Sequence, residues 1–418
     1  MVCVGDEVIF SYKIRLRLAF SYEKIHAHVA WCEVQNSTKD QNEMKTGRSL
    51  IDFIKEVDRQ ATAKQDVVAK TNALELSVEE DATREFEKLI KLNVRGGDFE
   101  AAYGLNEIAH DQLGSYLDIP AKYYDRCRNE DPDLLIKNVN AWISRKDEKR
   151  LIRTLDGNAR AFLSDKYHAL DNEQLAERVL PLLLDSGKFD IHSCEVTQRK
   201  LYIKVVGKEL TRELAKHGAQ LGSGHTIVHV LYPAITISNS EVGCGALSIQ
   251  RGIFNGGCSN LATFGDTGMR RHHVGARHEL VDEQLAGLLS AETHKKVDEA
   301  IWAQVRDIVQ AGFDKDQFNA LVDKCEGAAV QRIDKDADVI QVVKAAGTRL
   351  GLRDGEQKGI LQSLIEGGDL SRFGLHNAVT AFSQSKDVTY DRASELEKIG
   401  AEVIEMPQAQ WDVIAKAN

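Results

Sequence analysis

The sequence predicts an α+β protein: N-terminal helices, a central and mostly antiparallel sheet, then a C-terminal helical region. Three observations predict it. Apolar residues stand at helical spacing from Met44 onward, with Leu50, Ile51, Ile54 and Val57 on one face. The period drops to two from Leu151, and helical spacing resumes from Val281 almost to the end. The chain divides into four segments: an N-terminal extension over 1–43, a helical region over 44–150, a sheet-rich basic core over 151–280, and a helical region over 281–418.

Residues 1–43 fit poorly with the rest of the chain. "SYKIRLRLAFSY" alternates like a strand, then "QNSTKDQNE" breaks into polar loop. A start at Met44 would remove the segment entirely, so it reads equally as a non-native extension and as a strand of the fold. Beyond it, helices are expected over Ala101–Leu117 and over Pro120–Ser144, the latter split at Asp131-Pro132. Cys127 reads as a small packed side chain. Leu151–Leu155 and Ala159–Tyr167 form a hairpin turned at Asp156-Gly157-Asn158. "DNEQLAERVLPLLLDSG" is a helix with Asp171 as N-cap, Gln174 three residues on, and Gly187 at its close. Strands return in "KFDIHSCEVTQRKLYIKVVGKEL", turned around Thr197–Lys200, and continue through "HTIVHVLYPAITIS".

Composition bounds the function. The 418 residues are 43% hydrophobic, enough for a proper core, and carry a net charge of −10. That charge is uneven. Met1–Ile136 has 18 basic and 25 acidic residues (−7), Lys137–Leu280 has 20 and 15 (+5), and Val281–Asn418 has 16 and 24 (−8). A basic middle between acidic ends points to an anionic partner; chance segregation of solvated charge is the alternative. The seven scattered cysteines read as reduced thiols, and no apolar run nears the ~20 residues of a membrane helix. The N-terminus lacks a signal-peptide pattern, so the expected location is the cytoplasm, without a membrane partner.

The glycine-rich stretch "AITISNSEVGCGALSIQRGIFNGGCSNLATF" tests the chemistry. It has no Gly-Lys-Ser/Thr for a phosphate loop, and "GCGALS" runs into the strand-like alternation of Leu247 and Ile249, where a dinucleotide fingerprint needs a helix. Its glycines read as bulges and close strand contacts. Cys244 and Cys258 lie fourteen apart, which excludes a CxxC-type zinc site. A thiol nucleophile would need His225, His229, His272, His273 or His278 as base; packing is the simpler role. No metal or cofactor is expected.

Two basic features remain. "GMRRHHVGARHEL" places Arg270, Arg271, His272 and Arg277 in a short loop, suited to forked contacts with phosphates or simply to solvation. His273 and His278 are too far apart for a helical zinc pair. In the strand Lys200–Lys208, Leu201, Ile203 and Val205 make an apolar face. Lys200, Tyr202, Lys204 and Lys208 take the other, as on a sheet surface that binds single-stranded nucleic acid or on any half-exposed strand.

"RTLDGNARAFLSDKYHALDN", "ISNSEVGCGALSI…GIFNGGCSN" and "GLHNAVTAFSQSKDVTYDRASELEKIGAEVIEM" resemble the phage/plasmid-like proteins of domain-of-unknown-function family 932. The resemblance runs from about Leu151 to the C-terminus, with a weaker match from Met44; "NGGCSN" departs from it, since there the cysteine is expected before an Asn-Gly pair. It implies DNA metabolism of mobile elements and supplies no catalytic residue. Two functions are therefore expected in order: a DNA-binding protein, single strands ahead of duplex, acting in recombination or annealing as a homo-oligomer; or an enzyme, either a nucleic-acid hydrolase or a thiol enzyme using Cys244 or Cys258.

Overall fold

The computed structural model describes residues 47–80, 88–96, 99–167, 169–214, 229–257, 260–265, 269–271, 291–311 and 314–418. The class is α+β, with 12 helices and two mostly antiparallel sheets among these residues. None of the described helices is long and apolar enough to cross a membrane.

The chain enters α1 (Leu50–Ala63), where Ser49 caps the helix by accepting from the Asp52 backbone N–H at 3.1 Å. Four strands come next: β1 (Gln65–Lys70), β2 (Leu74–Glu80), β3 (Lys88–Gly96) and β4 (Phe99–Leu105). This corrects the helical reading of 44–150. Leu74 and Leu76, then Ile90, Leu92 and Val94, recur every second residue on one buried face, which is a strand period. Ala101–Leu105 likewise belongs to β4, and helix α2 (Glu107–Tyr116) starts later than expected, capped by Asn106.

Helices α3 (Ala121–Glu130) and α4 (Pro132–Ile143) divide at the expected Asp131-Pro132, Asp131 capping α4 and proline occupying its first position. The hairpin β5 (Lys149–Leu155) and β6 (Asn158–Ser164) turns through Asp156 and Gly157 at φ 51° and 76°. These strands form one six-stranded sheet, ordered β1-β5-β6-β4-β3-β2, in which only β4 and β6 pair in parallel. Leu113, Leu135 and Val139 of the helices pack on it against Leu76, Leu92 and Phe162.

Helix α5 (Asn172–Ser186) starts after Asp171 and ends at Gly187 (φ 66°) as expected, but the capping bond is missing. Asp171 holds the N-cap position without a side-chain bond to the first turn, and the Asn172 N–H donates instead to Glu241 Oε1 at 2.7 Å. The second sheet holds β7 (Phe189–Val196), β8 (Leu201–Gly207), β10 (Val230–Asn239), β11 (Leu247–Asn255) and β12 (Asn260–Thr263) in the order β12-β11-β10-β8-β7. The short strands β9 (Arg212–Glu213) and β13 (Met269–Arg271) add to β10 and β11.

Helices cover both faces of this sheet. On one, α1, α5 and α6 (Ala291–Ala311) bring Phe53, Leu175 and Trp302 against Ile203, Val205 and Ile235. On the other lie α7 (Lys315–Ala329), α10 (Arg372–Phe382) and α11 (Tyr390–Glu405), with Phe318, Phe373 and Ile404 against Ile253 and Phe264. Helices α8 (Val339–Leu350), α9 (Asp354–Gly367) and α12 (Gln408–Ala415) complete a C-terminal core around Trp411.

Candidate functional site

The second helical layer decides the fate of the strand Lys200–Lys208. All of β8 is buried, on both faces. Tyr202 is no stacking platform: its ring lies 5.3 Å from that of Tyr390, and its hydroxyl donates to Asp391 Oδ1 at 2.9 Å. Lys204 Nζ is buried 2.8 Å from Glu397 Oε1, with the Tyr390 ring 4.7 Å away. Burial raises the Glu397 carboxyl above its usual range while Lys204 pulls it down. Lys208 Nζ pairs with Asp190 Oδ1 at 2.6 Å. Tyr202 and Lys204 of the expected exposed face are therefore interior contacts with α11 and present no platform to a ligand, while Lys208 stays exposed beyond the end of β8 and Lys200 is half-buried.

His272 and Arg277 lie outside the described residues, as do residues 1–46, and of Arg271 only the backbone is described. Arg270 is exposed on β13, opposite Ser248 of β11. Lys200, at the end of the β7–β8 turn, lies with its side chain over Gly245, where a Cβ would come 2.7 Å from its Cε.

Lys200 and Arg270 both act on a residue that sequence reasoning missed. Lys398, on α11, feels both: burial lowers its ammonium pKa, and repulsion from Lys200 and Arg270 lowers it further, against the pull of Glu395 and Glu397. Arg199 and Lys200 also act on neighbouring Cys244. Among the described residues, none of Arg199, Lys200, Arg270 and Lys398 forms an ion pair with a carboxylate. No local signal could have found Lys398, since helix α11 reaches β8 only through the tertiary fold.

The glycine stretch forms the floor of this cluster. Gly243 adopts φ 74°, and the Cys244 N–H donates to Ser240 Oγ at 2.9 Å. Burial pushes the Cys244 thiol up, while Arg199 and Lys200 oppose that rise; the thiol is protonated at neutral pH and not activated. Cys258 lies outside the described residues. Among the described residues no three His, Cys, Asp or Glu side chains come together to hold a metal.

On the other side of the Thr197–Lys200 turn a cleft of about 340 Å³ opens between the two sheets, walled by α1, the β4–α2 junction and the β5–β6 hairpin. Three ion pairs of β5 and β6 lie near it, and the one between Arg160 and Glu241 ties the first sheet to the turn after β10. Arg153 of β5, fully buried, donates to Asp66 at 3.0 Å and to Asp171 at 2.8 Å, and its Nη1 donates to the Glu241 carbonyl. Arg160 of β6 lies 2.8 Å from Glu241 Oε2. Burial alone would raise the Asp171 carboxyl, but Arg153 and Lys64 hold it at about 2. This is why Asp171 is not free to cap α5.

Compared with known proteins, the chain matches no family model, no curated protein and no solved structure.

Proposed function

We propose that the protein binds single-stranded nucleic acid, DNA ahead of RNA and single strands ahead of duplex, without catalysing a reaction. The observation that carries this reading is that Lys200 of a turn and Arg270 of a short strand both repel Lys398 of a distant helix, while none of the three forms an ion pair with a carboxylate among the described residues. Cations held together against their mutual repulsion, and left without carboxylate partners, form a place where an anion lowers the energy of the folded state. The +5 charge of the middle region agrees with it. The cluster borders a concave cleft across one turn, a shape that suits a flexible strand. The resemblance to the phage/plasmid-like family supports a role in recombination or annealing, in the cytoplasm of a cell carrying a mobile element, by a homo-oligomer.

The test is a gel-shift series with single-stranded DNA, duplex DNA and RNA, followed by salt titration of the preferred ligand. Binding should weaken with salt, the log–log slope being about −0.7 for each neutralised phosphate of a single strand. Lys398→Gln and Arg270→Gln should each reduce that slope, and should weaken every sequence alike, since phosphates carry no base information. Absence of binding to all three ligands at low salt would sink the proposal.

A further inference from the structure

The cleft beside the cation cluster differs from it in one decisive respect: its charges are already matched. Arg59 Nε donates to Glu56 Oε2 at 2.9 Å and Arg59 Nη1 to Asp156 Oδ1 at 2.8 Å. Arg48 Nε donates to Glu195 Oε1 at 2.7 Å, and Arg160 faces Glu241. Three guanidiniums in the wall each meet a carboxylate, so the cleft offers no surplus charge to a phosphate. What it does offer is flat guanidinium surfaces and carboxamides.

The carboxamides are oriented. Asn106 Oδ1 is used as the cap of α2, accepting from the Ala109 N–H at 2.9 Å, which leaves its amide hydrogens as donors. Asn158 Nδ2 donates to the Asp156 carbonyl at 3.1 Å, which leaves Oδ1 as an acceptor. That oxygen lies 2.4 Å from where a Cβ on Gly104 would stand, so the glycine is what lets Asn158 occupy the wall. Gln198 adds an exposed amide from the β7–β8 turn. Arg160, with its side chain only 10% exposed, lines the same cleft and is held there by Glu241.

We infer that this cleft takes an unstacked nucleobase of the strand whose phosphates the Lys200–Arg270–Lys398 cluster holds. Mixed donors and acceptors at fixed positions suit the edge of a base, guanidinium planes suit its face, and about 340 Å³ is room for one heterocycle with its sugar. The inference rests on the proposed nucleic-acid binding and adds the recognised part of the ligand.

Fluorescence anisotropy at low salt with a mixed-sequence single strand and an abasic strand of equal length separates the two ideas. The abasic strand should bind roughly tenfold more weakly with an unchanged salt slope. Asn158→Ala and Gln198→Ala, both exposed positions that leave the ion pairs intact, should each weaken the intact strand by roughly fivefold and leave the abasic strand unaffected. Equal affinity for intact and abasic strands, unmoved by either substitution, overturns the base site while leaving the phosphate contacts standing. No binding of either strand overturns both.

Discussion

Lys204 lies in a strand buried on both faces, with the Glu397 carboxylate 2.8 Å from its ammonium and the Tyr390 ring 4.7 Å away. Its place in the alternation of Lys200–Lys208 marks it as exposed, because the opposite positions Leu201, Ile203 and Val205 are the obvious core. A helix almost two hundred residues downstream then covers it and supplies Glu397 as its partner. Local periodicity reports that a face differs from its opposite, never what tertiary structure lays over it. The same coverage turns Tyr202 from a platform into a hydrogen-bond donor. Because both members of the Lys204–Glu397 pair are buried, Lys204→Met alone should lower stability by about 3–5 kcal/mol, the cost of leaving a carboxylate unpaired. Adding Glu397→Leu should recover most of that loss. Urea midpoints of the single and double variants decide it; a double variant as unstable as the single would show that packing, not charge, governs the site. For Cys244, whose thiol is protonated, Cys244→Ser should leave nucleic-acid binding intact, and a folded variant that had lost it would restore the nucleophile reading.

At the scale of elements, strong local chemistry was legible and weak alternation was not. The hairpin β5–β6 was readable because Asp156-Gly157 supplies two residues that reach positive φ, and the α3–α4 break because proline cannot continue a helix. The strands over 65–105 escaped because their outward positions carry Glu and Lys, good helix formers, between short apolar repeats. Asp171 was placed correctly at a helix start, but its capping role was lost to Arg153 and Lys64, a stronger claim on the carboxylate than one backbone N–H. Within the glycine stretch, Gly252 of β11 has a physical reason of its own. A Cβ there would sit 2.4 Å from the backbone oxygen of Ala262 on β12, which cannot move without breaking the ladder. Gly252→Ala should therefore destabilise by about 1–3 kcal/mol, read as a drop in denaturation midpoint. Gly157→Ala is the comparison, strained by φ 76° alone with open space around it, and should cost less.

For the whole molecule, Arg153 and Arg160 tie the first sheet to Glu241 in the turn after β10 by buried charge, and the interior also carries imidazoles that must stay neutral. Neither was legible, since the partners are brought together only by folding. Burial pushes His110, His192 and His376 down to about 4. His110 meets the Tyr124 hydroxyl, and His376 Nδ1 meets the Gly400 carbonyl at 2.7 Å, so both rings are satisfied uncharged. In the unfolded chain each would titrate near 6.5. The unfolded state therefore binds more protons than the folded state between pH 6.5 and about 4, and stability falls as pH drops through that window, by up to about 1.4 kcal/mol per pH unit for each imidazole. Asp171 acts lower down. Its folded value of about 2 lies under the ordinary 3.8, so its contribution is complete above pH 4 and disappears as pH falls toward 2. Acid unfolding should thus proceed in two stretches, the first set by histidine and the second by the Arg153–Asp171 junction. His376→Gln, which keeps a polar group facing Gly400, should flatten the slope between pH 6.5 and 4 by one proton and leave the lower stretch alone. Denaturant titrations at a series of pH values measure both slopes, and stability unchanged from pH 7 to pH 5 would show that these imidazoles are not held neutral in the folded chain.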